Sequence, residues 1–249
     1  MHFKDHHSVV FDELFILRLC NFFKVKFIKK EIRMYKLVLS MLCCCNIFCY
    51  DNSEKVFTEI YETGVWGFDK EGKGFSGLGS TLLNSMSYIV FLQDFIKANR
   101  ITTVVDAGCG DWTFSKEIKW GSVKYVGVDV VKSVIDENIK KYSAENISFE
   151  HIDILKDPLP PADLLICKDV LMHLSNDDIL DFLARNQQYK HYLFTNNIDL
   201  ETSANTNKDI VRGGFRPLDI TKEPFNINGI KIFTYCTDHA IKQVVYYGK

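Results

Sequence analysis

Asp106, Gly108, Gly110 and Asp129 are the residues whose types and spacing speak most directly of chemistry. The first three lie in Thr103-Val104-Val105-Asp106-Ala107-Gly108-Cys109-Gly110-Asp111-Trp112, an apolar β-branched run followed by two glycines two residues apart. Such a run reads as a strand entering a tight turn, where missing Cβ atoms let the backbone come close to a ligand. The pattern predicts a helix start directly after the turn, its N-terminus facing that ligand. A carboxylate at the strand end would repel a pyrophosphate. It would attract an α-ammonium instead, while the helix N-terminus favours a carboxylate. Asp129 closes a second strand, Lys124 to Asp129, nineteen residues past Gly110. At that distance and place an acid can accept hydrogen bonds from both hydroxyls of a ribose.

S-adenosylmethionine carries an ammonium, a carboxylate and a ribose together. At Asp106-Ala107-Gly108-Cys109-Gly110-Asp111-Trp112 the sequence resembles the class I S-adenosylmethionine-dependent methyltransferases, whose first motif is an acid followed by alternating glycines. Trp112 stands where that pattern has a third glycine, which bears on the floor of the pocket. The resemblance implies that Asp153 and Ile154, at the end of a third strand over Ile147 to Ile152, meet the adenine. Three further stretches, Ser76-Gly77-Leu78-Gly79-Ser80-Thr81-Leu82, Cys167-Lys168-Asp169-Val170-Leu171-Met172-His173-Leu174 and Phe215-Arg216-Pro217-Leu218, look like a group of bacterial methyltransferase-domain proteins of unassigned substrate. The implied fold is α/β, a Rossmann-like, doubly wound, mostly parallel seven-stranded sheet with a C-terminal antiparallel hairpin. The implied activity is methyl transfer to a small-molecule or glycan acceptor, through oxygen or nitrogen.

Methyl transfer from a sulfonium asks an enzyme mainly to align acceptor and methyl and to exclude water, and a hydroxyl acceptor adds the need for a base. His173, just beyond the fourth strand, is the best placed candidate for that base, although a histidine there also suits fixing the turn. Lys168 and Asp169 share the location and join it as substrate-facing candidates; as neighbours of opposite charge they also fit a solvated pair. Arg212 and Arg216 flank Gly213-Gly214 in a long polar connection and suit an anionic substrate group or a closing lid. Tyr61, Trp66 and Phe68 fit either a cap over the cofactor or packing beneath a lid.

The elements that must position these residues can be read in turn. Residues 51–80, aromatic and glycine-rich, read as a lid or N-terminal loop ahead of a catalytic domain over 81–249. A helix from about Thr81 to Asn99, capped by Ser80, would bury Leu82, Leu83, Met86, Ile89, Val90 and Ile96. Helices are expected over Lys132 to Tyr142 and, after Ser175 as N-cap with Asp178 at the capping-box position, to about Asn186. Pro158, Pro160 and Pro161 rule out an ordinary crossover helix before the strand Asp163 to Cys167. A fifth strand, Tyr192 to Thr195, is followed by the connection Ile198 to Phe225 and by a hairpin of Ile230 to Cys236 with Ile241 to Tyr247.

A chain of 249 residues with 47% hydrophobic content builds one sizeable core. Residues 1–36 hold eight Lys+Arg against four Asp+Glu, which leaves the remainder at −6. No basic stripe for nucleic acid is legible in that acidic remainder, and the scattered cysteines show no metal-ligand spacing. The leader, residues 1–50, divides in two. Residues 1–33 lack period and caps, and translation is expected to start at Met34. Residues 37–50 carry no charge and resemble a secretory signal, too short for a comfortable membrane span. Export would conflict with the cytosolic origin of the cofactor, so a cytoplasmic location is expected on cofactor grounds and an exported one on those of the segment.

Two enzymatic alternatives fit less well. A nicotinamide-dependent oxidoreductase should carry the third glycine and an uncharged strand end. A nucleic-acid amino-methyltransferase should show Asn/Asp-Pro-Pro-aromatic where Lys168-Asp169-Val170-Leu171 stands. A non-catalytic binding or effector protein on the same fold is the third alternative.

Overall fold

The computed structural model describes residues 52–199 and 205–248, and the expected leader lies outside the described residues. From Asn52 onward the chain forms one compact unit. Its centre is a seven-stranded sheet in the order β3-β2-β1-β4-β5-β7-β6. The strands are β1 (Thr103–Ala107), β2 (Lys124–Asp129), β3 (Ile147–His151), β4 (Leu164–Lys168), β5 (His191–Ile198), β6 (Ile230–Cys236) and β7 (Ile241–Gly248). β1 pairs in parallel with both β2 and β4, so the chain's direction of winding reverses at β1. Such a reversal opens a crevice at the carboxyl ends of the strands, and both Asp106 and Lys168 lie at that end. Only β7 runs against the others, pairing antiparallel with β5 and β6. The expected sheet is therefore the observed one.

Covering both faces of the sheet explains why the central strands are apolar almost throughout. Val104, Leu164, Leu193 and Val244 pack on one face, with Tyr88 and Leu92 of α2 (Leu82–Ala98). Val105, Leu165, Phe194 and Val245 pack on the other, with Ile179, Phe182 and Leu183 of α4 (Asn176–Arg185). Those three recur at i, i+3 and i+4, and burying each contributes about 1.5–3 kcal/mol. Ser175 accepts from the Asp178 amide at 3.2 Å and starts α4 as expected. Val134 and Ile135 of α3 (Lys132–Tyr142) are also buried. No helix of the described residues is long and apolar enough to cross a membrane.

Three expectations are corrected. Residues 51–80 are not all loop: Ser53–Thr63 form α1, with the Asn52 side chain accepting from the Lys55 amide at 3.1 Å and Gly64 closing it in the left-handed region. The loop-forming glycines all follow position 63, and Tyr61 packs inward against Val131 and Val134. Second, α2 turns Asn84, Ser85, Tyr88, Ile89 and Leu92 to the core and leaves Leu82, Leu83, Met86 and Val90 exposed. Ser80 does not cap it, because its hydroxyl donates to the Ser76 carbonyl at 3.2 Å.

The third correction concerns the turn after β1. No α-helix follows it; Ser115–Glu117 make only a short 3₁₀ turn. Trp112 occupies the left-handed region at φ 58°, and Asp111 Oδ1 accepts from the Thr113 amide at 3.1 Å. Both features fold the chain back before a helix can begin. Trp112 itself packs on Tyr125, Tyr142 and Phe149, so the missing third glycine became a core residue.

Candidate active site

The carboxyl ends of β1, β2 and β4 open into a cavity of about 440 Å³. Asp106, Gly108, Gly110, Asp129, Asp153 and Ile154 all line it, as do Lys168, Asp169 and His173. The glycine turn is pinned to the neighbouring strand: Gly108 and Cys109 donate their amides to the Val128 carbonyl at 2.9 and 3.0 Å. Gly110 donates to Asp129 Oδ2 at 3.0 Å, and Asp111 to Ser76 Oγ at 2.8 Å. Every amide from 108 to 111 is thus engaged within the protein. A pyrophosphate would need those amides free, so the turn does not fit a dinucleotide. The backbone comes close because it has no side chain: a Cβ on Gly108 would stand 2.4 Å from Val170 Cγ2, and one on Gly110 2.4 Å from Ser76 Oγ.

Asp106 is 6% exposed. Its Oδ2 accepts from the Tyr125 hydroxyl at 2.8 Å. Burial pushes its pKa up to about 6, against the opposing pull of that hydrogen bond and of Lys168. A buried carboxylate strained toward neutrality is one that gains from a cationic ligand. Asp129 accepts the Gly110 amide on Oδ2 and the Val131 amide on Oδ1, the latter at 2.9 Å. Each oxygen keeps a further lone pair, which suits two neighbouring hydroxyls. Burial also raises the Asp129 pKa. Asp153 folds over its own loop, its Oδ1 accepting from the Leu155 amide at 3.0 Å, and Ile154 sits buried beside it.

Past β4, Lys168 sends Nζ to Asp169 Oδ2 at 2.7 Å and to the Gly79 carbonyl at 3.2 Å, beside the Phe114 ring at 4.7 Å. Lys242 approaches Asp169 Oδ1 from the other side at 2.8 Å. The three side chains make a buried Lys-Asp-Lys row, not a solvated pair. Burial alone would raise the Asp169 pKa, but the two ammoniums hold it below the usual carboxylate range. His173 donates Nδ1–H to the Gly214 carbonyl at 2.7 Å, since a carbonyl can only accept. Burial lowers its pKa, which leaves a neutral ring with its lone pair on Nε2. Trp66 and Phe215 flank the ring at centroid distances of 5.0 and 6.0 Å.

Arg212 and Arg216 do not line the cavity. Arg212 grips Asp178 with two hydrogen bonds, at 3.0 and 2.7 Å, and reaches Ser53 Oγ at 3.0 Å. Arg216 is 3% exposed and donates to the Leu171 carbonyl and to Asn176 Oδ1 at 3.0 and 2.9 Å. Both are brackets that fix the long connection to α1, the 171–173 turn and α4. Lys242 is a charged lining residue that sequence reasoning missed. Its signal was a lysine at an inward position of β7, where Val244 is likewise buried.

Fold and site together define a class I S-adenosylmethionine-dependent methyltransferase, with S-adenosylmethionine as cofactor. A family model described as the O-methyltransferase domain matches residues 46–190, and the chain belongs to that family. The nicotinamide alternative falls with that match and with the occupied amides. Among solved structures, the fold is similar to the N-methyltransferase NodS from Bradyrhizobium japonicum WM9 in complex with S-adenosyl-L-homocysteine. That likeness has 14% identity, 80% of this chain and 98% of that one covered, and a TM-score of 0.56. It is also similar to magnesium protoporphyrin IX methyltransferase from Synechocystis PCC 6803, at 12% identity, 80% and 97% coverage and a TM-score of 0.51. The mitomycin 7-O-methyltransferase MmcR gives 15% identity, 66% and 54% coverage and a TM-score of 0.51. At these identities the likeness is one of fold. No curated protein matches the sequence.

Proposed function

We propose that the protein methylates a hydroxyl of a small-molecule or glycan acceptor, with His173 Nε2 as the general base. The observation that carries this reading is the His173 Nδ1–H bond to Gly214, which fixes the tautomer and leaves Nε2 free to accept a proton. A base is needed by an oxygen acceptor and not by an amine that is already neutral. The description of the family as O-methyltransferase supports the same choice.

The cofactor supplies an electrophilic methyl group carried on a sulfonium. Around it, Asp106 attracts the ammonium of the amino-acid end and Asp129 accepts from the ribose hydroxyls. Asp153 and Ile154 border the adenine. With no helix N-terminus behind the turn, Lys168 is the cation for the carboxylate of that end. Asp169 holds Lys168 in place by charge and hydrogen bond. Trp66 and Phe215 shield His173 from water and line the acceptor's approach. Ser76 Oγ, in hydrogen bond with the Tyr61 hydroxyl at 2.7 Å and accepting from the Asp111 amide at 2.8 Å, fastens the 51–80 segment to the turn.

Calorimetry of the full chain with S-adenosyl-L-homocysteine, S-adenosylmethionine and NAD tests the cofactor assignment; binding of NAD alone would overturn it. A radiolabelled methyl-transfer screen over hydroxyl-bearing phenols, sugars and oligosaccharides, with amines as controls, tests the acceptor. Transfer to amines but to no hydroxyl would overturn the oxygen reading.

A further inference from the structure

α2 is apolar on its outer side as well as its inner one. Tyr88, Ile89 and Leu92 pack on the sheet, while Leu83, Met86 and Val90 recur at i, i+3 and i+7 on the opposite side and are 69, 55 and 58% exposed. Scattered surface leucines need no explanation, but a continuous apolar face of this kind marks a place where something binds.

One end of the face is the mouth of the cavity. Leu78 lines the cavity and is itself exposed, and its carbonyl accepts from Asn84 Nδ2 at 3.0 Å and from Thr81 Oγ1 at 2.9 Å. Asn84 Oδ1 accepts in turn from the Asp238 amide at 3.1 Å, and His239, the next residue of that hairpin turn, also lines the cavity. Asn84 thereby ties two parts of the rim to the first turn of α2, where the apolar face begins. At its other end the face runs into a groove between α2 and β6, lined by Val90, Phe91, Phe95 and Phe233, with the Phe91 and Phe233 rings stacked at 4.7 Å. From Leu83 to Phe95 the helix rises roughly 18 Å, so an apolar path of that length leads from the mouth to the aromatic groove.

Charge indicates what lies on the path. Residues 74–93 carry no charge, and the charged residue bordering the groove is the acid Asp94. A helix that rests on a bilayer presents Lys or Arg beside its apolar face, and none stands there. We propose that the methyl acceptor is amphiphilic: its hydroxyl-bearing head enters the cavity past Leu78, and an uncharged apolar tail lies along Leu83, Met86 and Val90 toward the groove. This rests on the methyltransferase reading above and names its acceptor class. Tail length then sets affinity, while the chemistry of the head stays with His173.

The test saturates the full chain with S-adenosyl-L-homocysteine and titrates it calorimetrically with 4-ethylphenol, 4-butylphenol and 4-octylphenol, each below its aggregation limit. Affinity is expected to rise at least tenfold from ethyl to octyl, because each methylene laid on the face leaves water. In the double variant Leu83→Gln with Met86→Gln, which exchanges two exposed side chains for a good helix former, 4-octylphenol is expected to bind at least fivefold more weakly and 4-ethylphenol within about twofold of the parent. In the unaltered protein the Met86 methyl resonance should shift with 4-octylphenol and not with 4-ethylphenol. A flat series, a gradient that survives the double variant, or an unmoved Met86 methyl would overturn the inference. So would a dimer in sedimentation that the double variant splits, which gives the face to a second copy, or flotation with phosphatidylcholine vesicles that the double variant abolishes, which gives it to a membrane. Failure to bind S-adenosyl-L-homocysteine would overturn the cofactor reading and this inference with it, whereas binding of it with a flat series overturns the inference alone.

Discussion

Tyr125 on β2 donates its hydroxyl to Asp106 Oδ2 on β1 at 2.8 Å, from a side chain that is itself 1% exposed. The bond steadies the carboxylate but does not offset its burial, and the pKa of Asp106 stays near 6. Because the folded value lies above the ordinary 3.8, ionised Asp106 opposes folding at neutral pH, and that penalty fades as pH falls from about 6 toward 3.8. Asp106→Asn keeps an acceptor for Tyr125 and removes the charge. The ligand-free protein should gain on the order of 2 kcal/mol at pH 7.5, seen as a higher Tm, while S-adenosyl-L-homocysteine binds at least tenfold more weakly. A variant both less stable and unimpaired in binding would contradict the role given to Asp106.

The two titrations at the site separate by kinetic parameter. Asp106 must be ionised to attract the cofactor's ammonium, so the KM for S-adenosylmethionine should rise as pH falls through about 6. His173 must be neutral to take a proton, and burial lowers its pKa below the ordinary 6.5, so the acid limb of kcat should lie below that value. His173→Asn retains a donor for Gly214 and removes Nε2. It should cost about 10²–10⁴ in kcat for a hydroxyl acceptor, with Tm nearly unchanged. A kcat within threefold of the parent enzyme would assign His173 to structure alone.

How much of this was legible beforehand follows from where the information sits. Asp106, Asp129 and the glycine pair occur within short spacings that the strand-turn pattern dictates, and they line the cavity as expected. Strand positions were equally legible, because β1 and β4 are buried on both faces and open with apolar residues, Val104-Val105 and Leu164-Leu165-Ile166-Cys167. The helix expected after Gly110 failed because its local signal was the turn itself. Nothing short of the Trp112 packing reveals the refolding of that segment. Leu82, Leu83, Met86 and Val90 misled for the opposite reason. An apolar stripe says a face wants burial, whereas the sheet took the face bearing Tyr88 and Leu92. Arg212 and Arg216 were assigned by residue type, and Lys242 drew no assignment at all. Whether a buried cation meets a ligand or a carboxylate depends on contacts 34 to 159 residues away, as between Arg212 and Asp178 or Ser53.

Trp112 gives a test of the corrected turn. Replacing it by glycine restores the third glycine of the motif and relieves the left-handed backbone by about 1 kcal/mol, but it deletes a side chain only 5% exposed. The cavity left among Tyr125, Tyr142 and Phe149 should dominate, at about 3–5 kcal/mol. Trp112→Gly is therefore expected to lower the urea midpoint sharply, whereas a helix-initiating turn would have been improved by it.

Arg216 tests whether the long connection acts on substrate or on structure. Its guanidinium is buried, and desolvation lowers its pKa to about 10, still far above neutrality. It is therefore charged while joining the Leu171 carbonyl to Asn176 Oδ1. Removing it leaves Asn176 Oδ1 without that donor, leaves the Leu171 carbonyl with the Leu174 amide alone, and leaves the connection held to the turn that ends in His173 by the Gly213 and Arg216 amides. Arg216→Met, which keeps most of the volume and loses every donor, should destabilise the protein by about 2–4 kcal/mol. Arg212→Met should do likewise through Asp178, whose pKa is held below the ordinary range chiefly by hydrogen bonds from Arg212 against the opposing effect of burial. Loss of that partner returns Asp178 toward its ordinary value, so the variant should be destabilised more at pH 7 than at pH 4, where the parent's advantage shrinks with protonation. If either arginine instead bound the acceptor, its substitution would raise acceptor KM severalfold with Tm unmoved, and chemical denaturation beside steady-state kinetics on the same preparation separates the two outcomes.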